Sequence, residues 1–162
     1  MNRKALIEKL EAEFEETRKN IKENKCIPVE NFDWNFLFSH IAESRAEYRV
    51  TSEAWTTVEI DPRVPEQILS IYSYIINNLV NEPAAYRLKS TIERKWSHIS
   101  TFPNSGTPIS SFANDISVQF TDIQRTMADR YLLLYIYDET TDTATISHIF
   151  HQTQDYAKIF QN

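Results

Sequence analysis

Glycine and cysteine are nearly absent from this chain of 162 residues, which has one of each. The lone Gly106 excludes the glycine-rich loops that cradle phosphates, of both the dinucleotide and the P-loop kind. The single cysteine, Cys26, allows no disulfide within the chain, which fits a reducing cytosol. The four histidines are scattered and lack the spacing of a zinc site. We therefore expect neither a metal nor a cofactor.

Long apolar runs are also missing. The runs at residues 71–76 and 131–137 fall far short of the roughly 20 apolar residues that a membrane helix needs. The stretch after Met1 is dense in charge, unlike a signal peptide. These features predict a cytoplasmic protein without membrane contact. The net charge of −6 predicts that any contact with nucleic acid is local and made by a few clustered basic residues.

The first 41 residues combine a polar helix with an aromatic stretch at residues 29–41. Residues 2–25 carry a thin apolar stripe at helical spacing, which needs a partner surface because such a helix is marginal alone. Pro28 ends this helix, and the aromatic stretch after it is predicted to lie across another surface. Residues 42–54 are more polar and form either a linker or an added strand. The apolar residues of the two parts are Leu6, Leu10, Phe14, Ile21, Phe32, Trp34, Phe36 and Phe38.

A second unit begins near Trp55 with a strand candidate at residues 55–60. Asp61-Pro62 predicts the start of a helix, with Asp as N-cap, and Pro83 opens a second helix that ends at Phe102-Pro103. Three strands are predicted at residues 116–123, 131–137 and 143–150, followed by a short helical tail at 154–160. The order β-α-α-β-β-β predicts an α+β fold, with a helical hairpin packed on one face of a mainly antiparallel sheet.

This order and several residues resemble the RelE/ParE toxin superfamily over roughly residues 55–160. In that family an Arg leads into a strand of the form Y-x-x-x-Y-x-x-D, and the last strand ends in a His with an Asp shortly after. The matching residues here are Arg125, Tyr131, Tyr135, Asp138, His151 and Asp155. The resemblance implies the toxin of a bacterial type II toxin-antitoxin system, and it allows a dimer.

Residues 4–34 are similar to the toxin-wrapping part of antitoxins of the RelB or Phd type. The resemblance implies an antitoxin-like helix, wrapping segment and linker at residues 1–54, joined to a toxin domain at 55–162. The masking contacts would come from Leu6, Leu10, Phe14, Phe32, Trp34 and Phe36. The antitoxin would then act in cis, although a separate antitoxin chain also fits. A plain N-terminal extension packing on the sheet is the alternative, and a fusion could be natural or engineered.

Relatives that cut messenger RNA on the ribosome imply catalytic roles for four residues. Arg125 would hold the phosphate, His151 would transfer a proton, and Tyr156 or Asp155 would lie nearby. Lys89, Arg94, Lys95 and Arg130 would grip nucleic acid. Each also has an ordinary structural explanation, such as an ion pair for Arg125 or a strand-end cap for His151. We expect Tyr131 and Tyr135 to be core residues, and His148 and His98 to face solvent.

The sequence departs from the family where further basic residues are usual. Leu132, Thr153 and Gln154 occupy those places, and residues 55–162 carry twelve acidic and eight basic residues, a net of −4. Three functions stay open: a ribosome-dependent mRNA endoribonuclease, a non-enzymatic inhibitor of DNA gyrase of the ParE kind, and a degenerate toxin without activity.

Overall fold

A computed structural model describes residues 2–34, 56–78, 80 and 82–160. The helices are α1 (Arg3–Lys22), α2 (Arg63–Asn77), α3 (Glu82–Thr101) and α4 (Asp155–Ile159). The strands are β1 (Ile27–Pro28), β2 (Thr57–Ile60), β3 (Thr107–Pro108), β4 (Ile123–Ala128), β5 (Tyr131–Asp138) and β6 (Thr143–His151). The predicted α+β fold with a helical hairpin and a mainly antiparallel sheet is confirmed.

The six strands form one sheet in the order β1-β2-β6-β5-β4-β3. β2 and β6 pair in parallel, and the other neighbours pair in an antiparallel arrangement. β5 is central and buried along most of its length, as its dense apolar run predicts. A bulge between Leu134 and Tyr135 shifts the register with β6, so that Leu133 faces Ile149 and Tyr135 faces Ile146.

The hairpin of α2 and α3 covers one face of the sheet. α2 begins at Arg63, with Pro62 in the N-cap position that was predicted for Asp61, and Oδ1 of Asp61 accepts a hydrogen bond of 2.9 Å from the backbone N–H of Arg63 at the helix start. The inner stripes of both helices pack against the sheet residues Tyr131, Leu133, Tyr135 and Ile146. The stripe residues are Val64, Ile68, Ile71, Ile75, Ala85, Leu88, Ile92, Trp96 and Ile99. The expected burial of Tyr131 and Tyr135 is confirmed.

The N-terminal segment passes around one edge of the sheet. α1 lies on the face opposite the hairpin, β1 extends the sheet at β2, and Phe32 and Trp34 reach the hairpin side. There the ring centroids of Phe32 and Trp34 lie 6.0 and 5.7 Å from that of Trp96. A single short segment therefore contacts both faces and the edge between them.

The prediction of a strand at residues 116–123 is wrong. Residues Val118–Phe120 form a 3-10 turn, and the strand begins only at Ile123. The alternation of Ile116, Val118 and Phe120 suggested a strand, but Val118 is 81% exposed while its two neighbours in the pattern are buried. Ile116 lies before the 3-10 turn, and within the turn Val118 projects outward while Phe120 faces the core. The sequence also gave no indication of the two-residue strands β1 and β3.

Candidate functional site

The sheet face under α1, called the covered face below, is largely apolar. Leu6, Ile7, Leu10 and Phe14 of α1 are buried against it. The ring centroid of Phe14 lies 5.5 Å from that of Phe120. The sheet contributes Ile123, Leu132, Leu134, Ile136, His148 and Phe150. Since each fully buried large side chain contributes about 2 kcal/mol, these contacts are the main attraction between α1 and the sheet.

A buried polar cluster holds the middle of α1 to the start of α2. Arg63 donates hydrogen bonds to the backbone carbonyl of Glu13 at 3.0 Å and to Oγ1 of Thr17 at 2.9 Å. Its guanidinium also lies 3.2 Å from a carboxylate oxygen of Glu16. Nδ2 of Asn20 donates to Oδ2 of Asp61 at 3.1 Å, and both residues are buried. Because these donors and acceptors lose water, their pairing fixes the position of α1 along the sheet.

The outer ends of α1 are tied by exposed charges. Arg3 donates two hydrogen bonds of 3.0 Å to the carboxylate of Asp115. Arg18 donates to Asp122 at 2.6 Å, and its guanidinium lies 5.6 Å from the ring centroid of Phe120. The polar contacts thus surround an apolar centre, an arrangement common to docked surfaces.

His148 corrects the expectation that this side chain faces solvent. It is completely buried on the covered face, 5.3 Å from Phe14 between ring centroids, with Nε2 3.3 Å from a carboxylate oxygen of Glu13. Burial lowers the pKa of His148, and the Arg63 charge lowers it further, against the opposing effects of Glu13 and Asp61. The imidazole is therefore neutral at neutral pH and donates its Nε2–H to Glu13.

The four predicted catalytic residues do not form one site. Arg125 pairs with Leu134 on the covered-face side, where its guanidinium lies 4.1 Å over the ring of Phe112. His151 pairs with Tyr131 on the hairpin side, 5.7 Å away between ring centroids. Side chains alternate between the two faces of a strand, and this register puts the phosphate candidate and the proton-transfer candidate on opposite faces.

Tyr156 and Asp155 lie apart from both. The Tyr156 ring stacks on Phe150 at 5.3 Å between ring centroids, with Nζ of Lys9 5.7 Å from its ring centroid. With Glu13 they line a small cleft of about 180 Å³ between α1, α2 and β6. Asp155 is exposed and its carboxylate lies 3.7 Å from Nζ of Lys158.

A second surface is a basic groove of about 470 Å³ between α3 and the turn from β4 to β5. It is lined by Arg87, Thr91, Arg94, Lys95, His98, Met127, Ala128 and Asp129. Of the residues predicted to bind nucleic acid, Arg94 and Lys95 lie in this groove. Lys89 does not line it, and its Nζ lies 3.7 Å from the carboxylate of Glu93. His98 is exposed, as expected.

His151 does not line this groove, but the charges of Asp129, which does, and of the neighbouring Arg130 both act on it. Burial lowers the pKa of His151, and the charge of Arg130 lowers it further. Arg130 and Arg87 both act on the phenol of Tyr131, whose pKa is raised chiefly by burial. The described residues thus bring His151, Arg130, Arg94 and Lys95 to the hairpin side of the sheet, away from Arg125.

Sequence reasoning missed the polar side of the α1 contact. Glu13, Thr17 and Asn20 continue the apolar stripe of Leu6, Leu10 and Phe14 at spacings of three and four residues. Polar residues that extend an apolar stripe are the available signal, because a helix facing buried polar partners needs them there.

The fold and the two surfaces define a small α+β protein with a helical hairpin on a sheet and a docked N-terminal helix. Residues 58–156, more than half of the chain, match the family described as ParE toxin of type II toxin-antitoxin system, parDE. The chain belongs to this family of toxins, in which an antitoxin partner is general. No curated protein matches the sequence. Among the described residues, no helix is long and apolar enough to cross a membrane.

Proposed function

We propose that this chain is a ParE-type toxin held inactive by its own N-terminal segment. The observation that carries the proposal is the docking of α1 on the covered face. Residues 2–34 lie outside the family match at 58–156, yet they bury Leu6, Leu10, Phe14 and Trp34 against it. Phe32 is partly buried in the same contact, whereas Phe36 and the linker at 39–54 lie outside the described residues. In this proposal the N-terminal segment acts as an antitoxin within the same chain.

Tethering makes this restraint effective. A covalent connection within one chain gives an effective concentration in the millimolar range, and the buried apolar contacts strengthen the docking further. The covered face would therefore be occupied nearly all the time. Release requires proteolysis between residues 39 and 54, so that the N-terminal piece can leave by dissociation.

The released toxin acts by binding a protein, as an inhibitor of DNA gyrase does, and not by cutting RNA. The face that α1 leaves would expose Phe120 and His148, the ring contacts of Phe14, within an apolar cluster that suits a protein partner. Cutting RNA needs a cation and a proton donor around one phosphate, whereas Arg125 and His151 lie on opposite faces.

Ribosome-dependent cleavage of mRNA is the second candidate, favoured by one observation. The charges of Arg130 and Asp129 act on His151, and Asp129 lines the basic groove that holds Arg94 and Lys95, so a candidate for proton transfer lies on the same side of the sheet as candidate phosphate-binding cations. This candidate predicts that His151→Gln abolishes cleavage while the fold is kept. A degenerate toxin, the third alternative, predicts no toxicity in any form.

The test is controlled cleavage of the full chain in growing bacteria. A protease site is inserted between residues 39 and 54, and Phe14→Ala weakens the docking so that the cut segment dissociates. Growth arrest after protease induction, with DNA damage and intact ribosome-bound mRNA, supports the gyrase-type proposal. Arrest with mRNA cuts supports the second candidate. The same chain without protease is the control.

Continued growth with a cut chain that is soluble, folded and free of residues 1–38 would refute the toxin activity and leave the degenerate alternative. Expression of residues 55–162 alone is a useful companion where circular dichroism shows that this piece is folded. Arrest by the uncut control would contradict restraint in cis.

A further inference from the structure

The basic groove is formed by one stripe of α3. Arg87, Thr91, Arg94, Lys95 and His98 recur at spacings of three and four residues, so they share one side of the helix. A rise of 1.5 Å per residue gives this stripe a length of roughly 16 Å, which suits an extended ligand rather than a single small anion. Ala128 of β4 lies at the base of the groove, whereas the side chain of the neighbouring Met127 packs toward the other face of the sheet.

The charge of the groove is opposite to that of the chain. Arg87, Arg94 and Lys95 line it together with a single carboxylate, Asp129, among the described lining residues, while the whole chain carries −6. Arg130 adds a further cation at one end, near Tyr131. Desolvation alone lowers the pKa of Lys95, so no carboxylate offsets its partial burial. Such a local concentration of cations favours a ligand with repeated negative charges.

Aromatic rings lie at the other end of the stripe. Phe102 is 57% exposed, and its ring centroid lies 5.4 Å from that of His98. An exposed Phe beside His98, at the end of the cationic stripe, offers a surface on which a base can stack while its phosphates meet the groove. Each nucleotide of a single strand supplies both a phosphate and a base, so the combination of cations and an exposed ring favours single-stranded nucleic acid over an acidic peptide.

We propose that this groove binds single-stranded nucleic acid through its phosphates, with one base stacked on Phe102. The groove lies on the hairpin side, and none of the described residues of the N-terminal segment lines it. The full chain therefore binds such a strand while α1 covers the other face. This inference does not rest on the restraint in cis, and it assigns the groove binding rather than cleavage.

The experiment measures fluorescence anisotropy of a labelled U12 RNA and a dT12 DNA with the full chain at 50 mM salt. Arg94→Glu with Lys95→Glu should weaken binding at least tenfold, because two phosphate contacts are lost. The matched control is Lys22→Glu with Lys158→Glu, which changes the net charge equally on exposed residues outside the groove and should change affinity less than twofold. Phe102→Ala should weaken binding about tenfold.

Salt dependence gives a second readout. Each phosphate contact to a single strand contributes about −0.7 to the slope of log affinity against log salt, so three cations predict a slope near −2. The Arg94→Glu and Lys95→Glu variant should show a slope near −0.7. A preference for RNA or for DNA identifies the nucleic acid and supports the proposal in either case.

Three results would overturn the proposal. The first is an absence of binding at protein concentrations up to 100 μM, which is about the weakest non-specific affinity expected. The second is equal weakening in the two charge-matched variants. The third is that polyglutamate or duplex DNA binds as tightly as the single strands do, and that the Arg94→Glu and Lys95→Glu variant also loses this binding. Thermal melting of every variant checks that the fold is intact.

Discussion

On one face of the sheet the covering helices, α2 and α3, lie inside the family match at residues 58–156, whereas α1 on the other face comes from outside it. The contact of α2 and α3 with the sheet is formed mainly by aliphatic side chains and Trp96. The α1 contact instead has an apolar centre surrounded by charged and hydrogen-bonded residues, among them Arg3, Arg63 and Asn20. We infer from this difference that α2 and α3 belong to the toxin fold itself, and we propose that α1 is a separate element docked on it.

The largest expected loss of stability comes from truncating a buried side chain at the centre of each of the two contacts between helices and sheet. Phe14 and Ile68 are both completely buried, so Phe14→Ala should cost about 3–5 kcal/mol and Ile68→Ala about 2–5 kcal/mol. The two changes should differ in hydrogen exchange. Phe14→Ala should remove protection from α1 and keep it in α2, because α1 is docked on a sheet that the hairpin still supports. Ile68→Ala should lower protection in both helices.

Equal loss of protection in α1 and α2 after Phe14→Ala would contradict this comparison. It would show that α1 is part of one cooperative core, and the restraint in cis would lose its physical basis. Val118→Ala is the control, since Val118 is 81% exposed and its truncation should leave both helices protected.

The next largest loss of stability is expected from a substitution at Gly106, which contacts Tyr135 of the hairpin-side core. The backbone N–H of Gly106 donates to the Tyr135 hydroxyl at 3.0 Å, and a Cβ at this position would lie 2.7 Å from that oxygen and 3.0 Å from the backbone carbonyl oxygen of Arg125. Gly106→Ala should therefore cost about 1–3 kcal/mol in urea unfolding. In a Tyr135→Phe background the cost should shrink, because the nearest atom is gone. An unchanged cost would assign the strain to β4, where Cβ of Gln124 would lie 2.9 Å and the carbonyl oxygen of Arg125 3.0 Å from the added methyl group.

The hairpin and the central strands were predictable because their signals are local. Asp61-Pro62 marks a helix start, the apolar stripe of α2 repeats at helical spacing, and residues 131–137 form a dense apolar run. β4 was misplaced because IQRTMA is half polar, while the 3-10 turn before it alternates apolar and polar residues as a strand does. Backbone pairing, which the sequence does not display, decides between the two.

The candidate site was less predictable because it depends on register and on contacts distant in sequence. His148 was expected at the surface since no local pattern shows that a helix 135 positions earlier covers it. Arg125 and His151 were grouped by family spacing, yet the pairing of Arg125 with Leu134 and of His151 with Tyr131 separates them by one sheet layer. Of the residues predicted to bind nucleic acid, Arg94 and Lys95 line one groove, whereas Lys89 lies beside Glu93 and does not line it.

A smaller expected effect is a dependence of stability on pH that comes mainly from His148 on the covered face. Burial holds the pKa of His148 below its ordinary value of 6.5, with Arg63 acting in the same direction and Glu13 and Asp61 against it. Below about pH 6.5 the unfolded chain therefore binds a proton that the folded chain does not, and stability should fall as pH drops from 7.5 to 5.5. The pKa of Glu13 is also lowered, so its contribution is lost at lower pH still.

Thermal melting at pH 7.5, 6.5 and 5.5 checks this expectation. His148→Gln keeps an N–H donor for Glu13 and should reduce the fall in melting temperature. His151→Gln, on the hairpin side, should reduce it less because His151 is only partly buried. If His151→Gln reduces the fall in melting temperature more than His148→Gln does, the acid-sensitive group lies on the hairpin side. The loss of stability at low pH would then not come from the covered face.

The smallest effect is expected at the end of α1. Arg3 and Asp115 form a bidentate pair, but their side chains are 50% and 44% exposed, so solvent screens the attraction. A double-mutant cycle of Arg3→Ala and Asp115→Ala should give a coupling of about 0.5 kcal/mol that falls further in 0.5 M salt. A coupling several times larger, and insensitive to salt, would mean that this end of α1 is anchored as firmly as its centre. The charged surroundings would then hold α1 on the sheet, and Phe14 would no longer be the contact whose loss frees it.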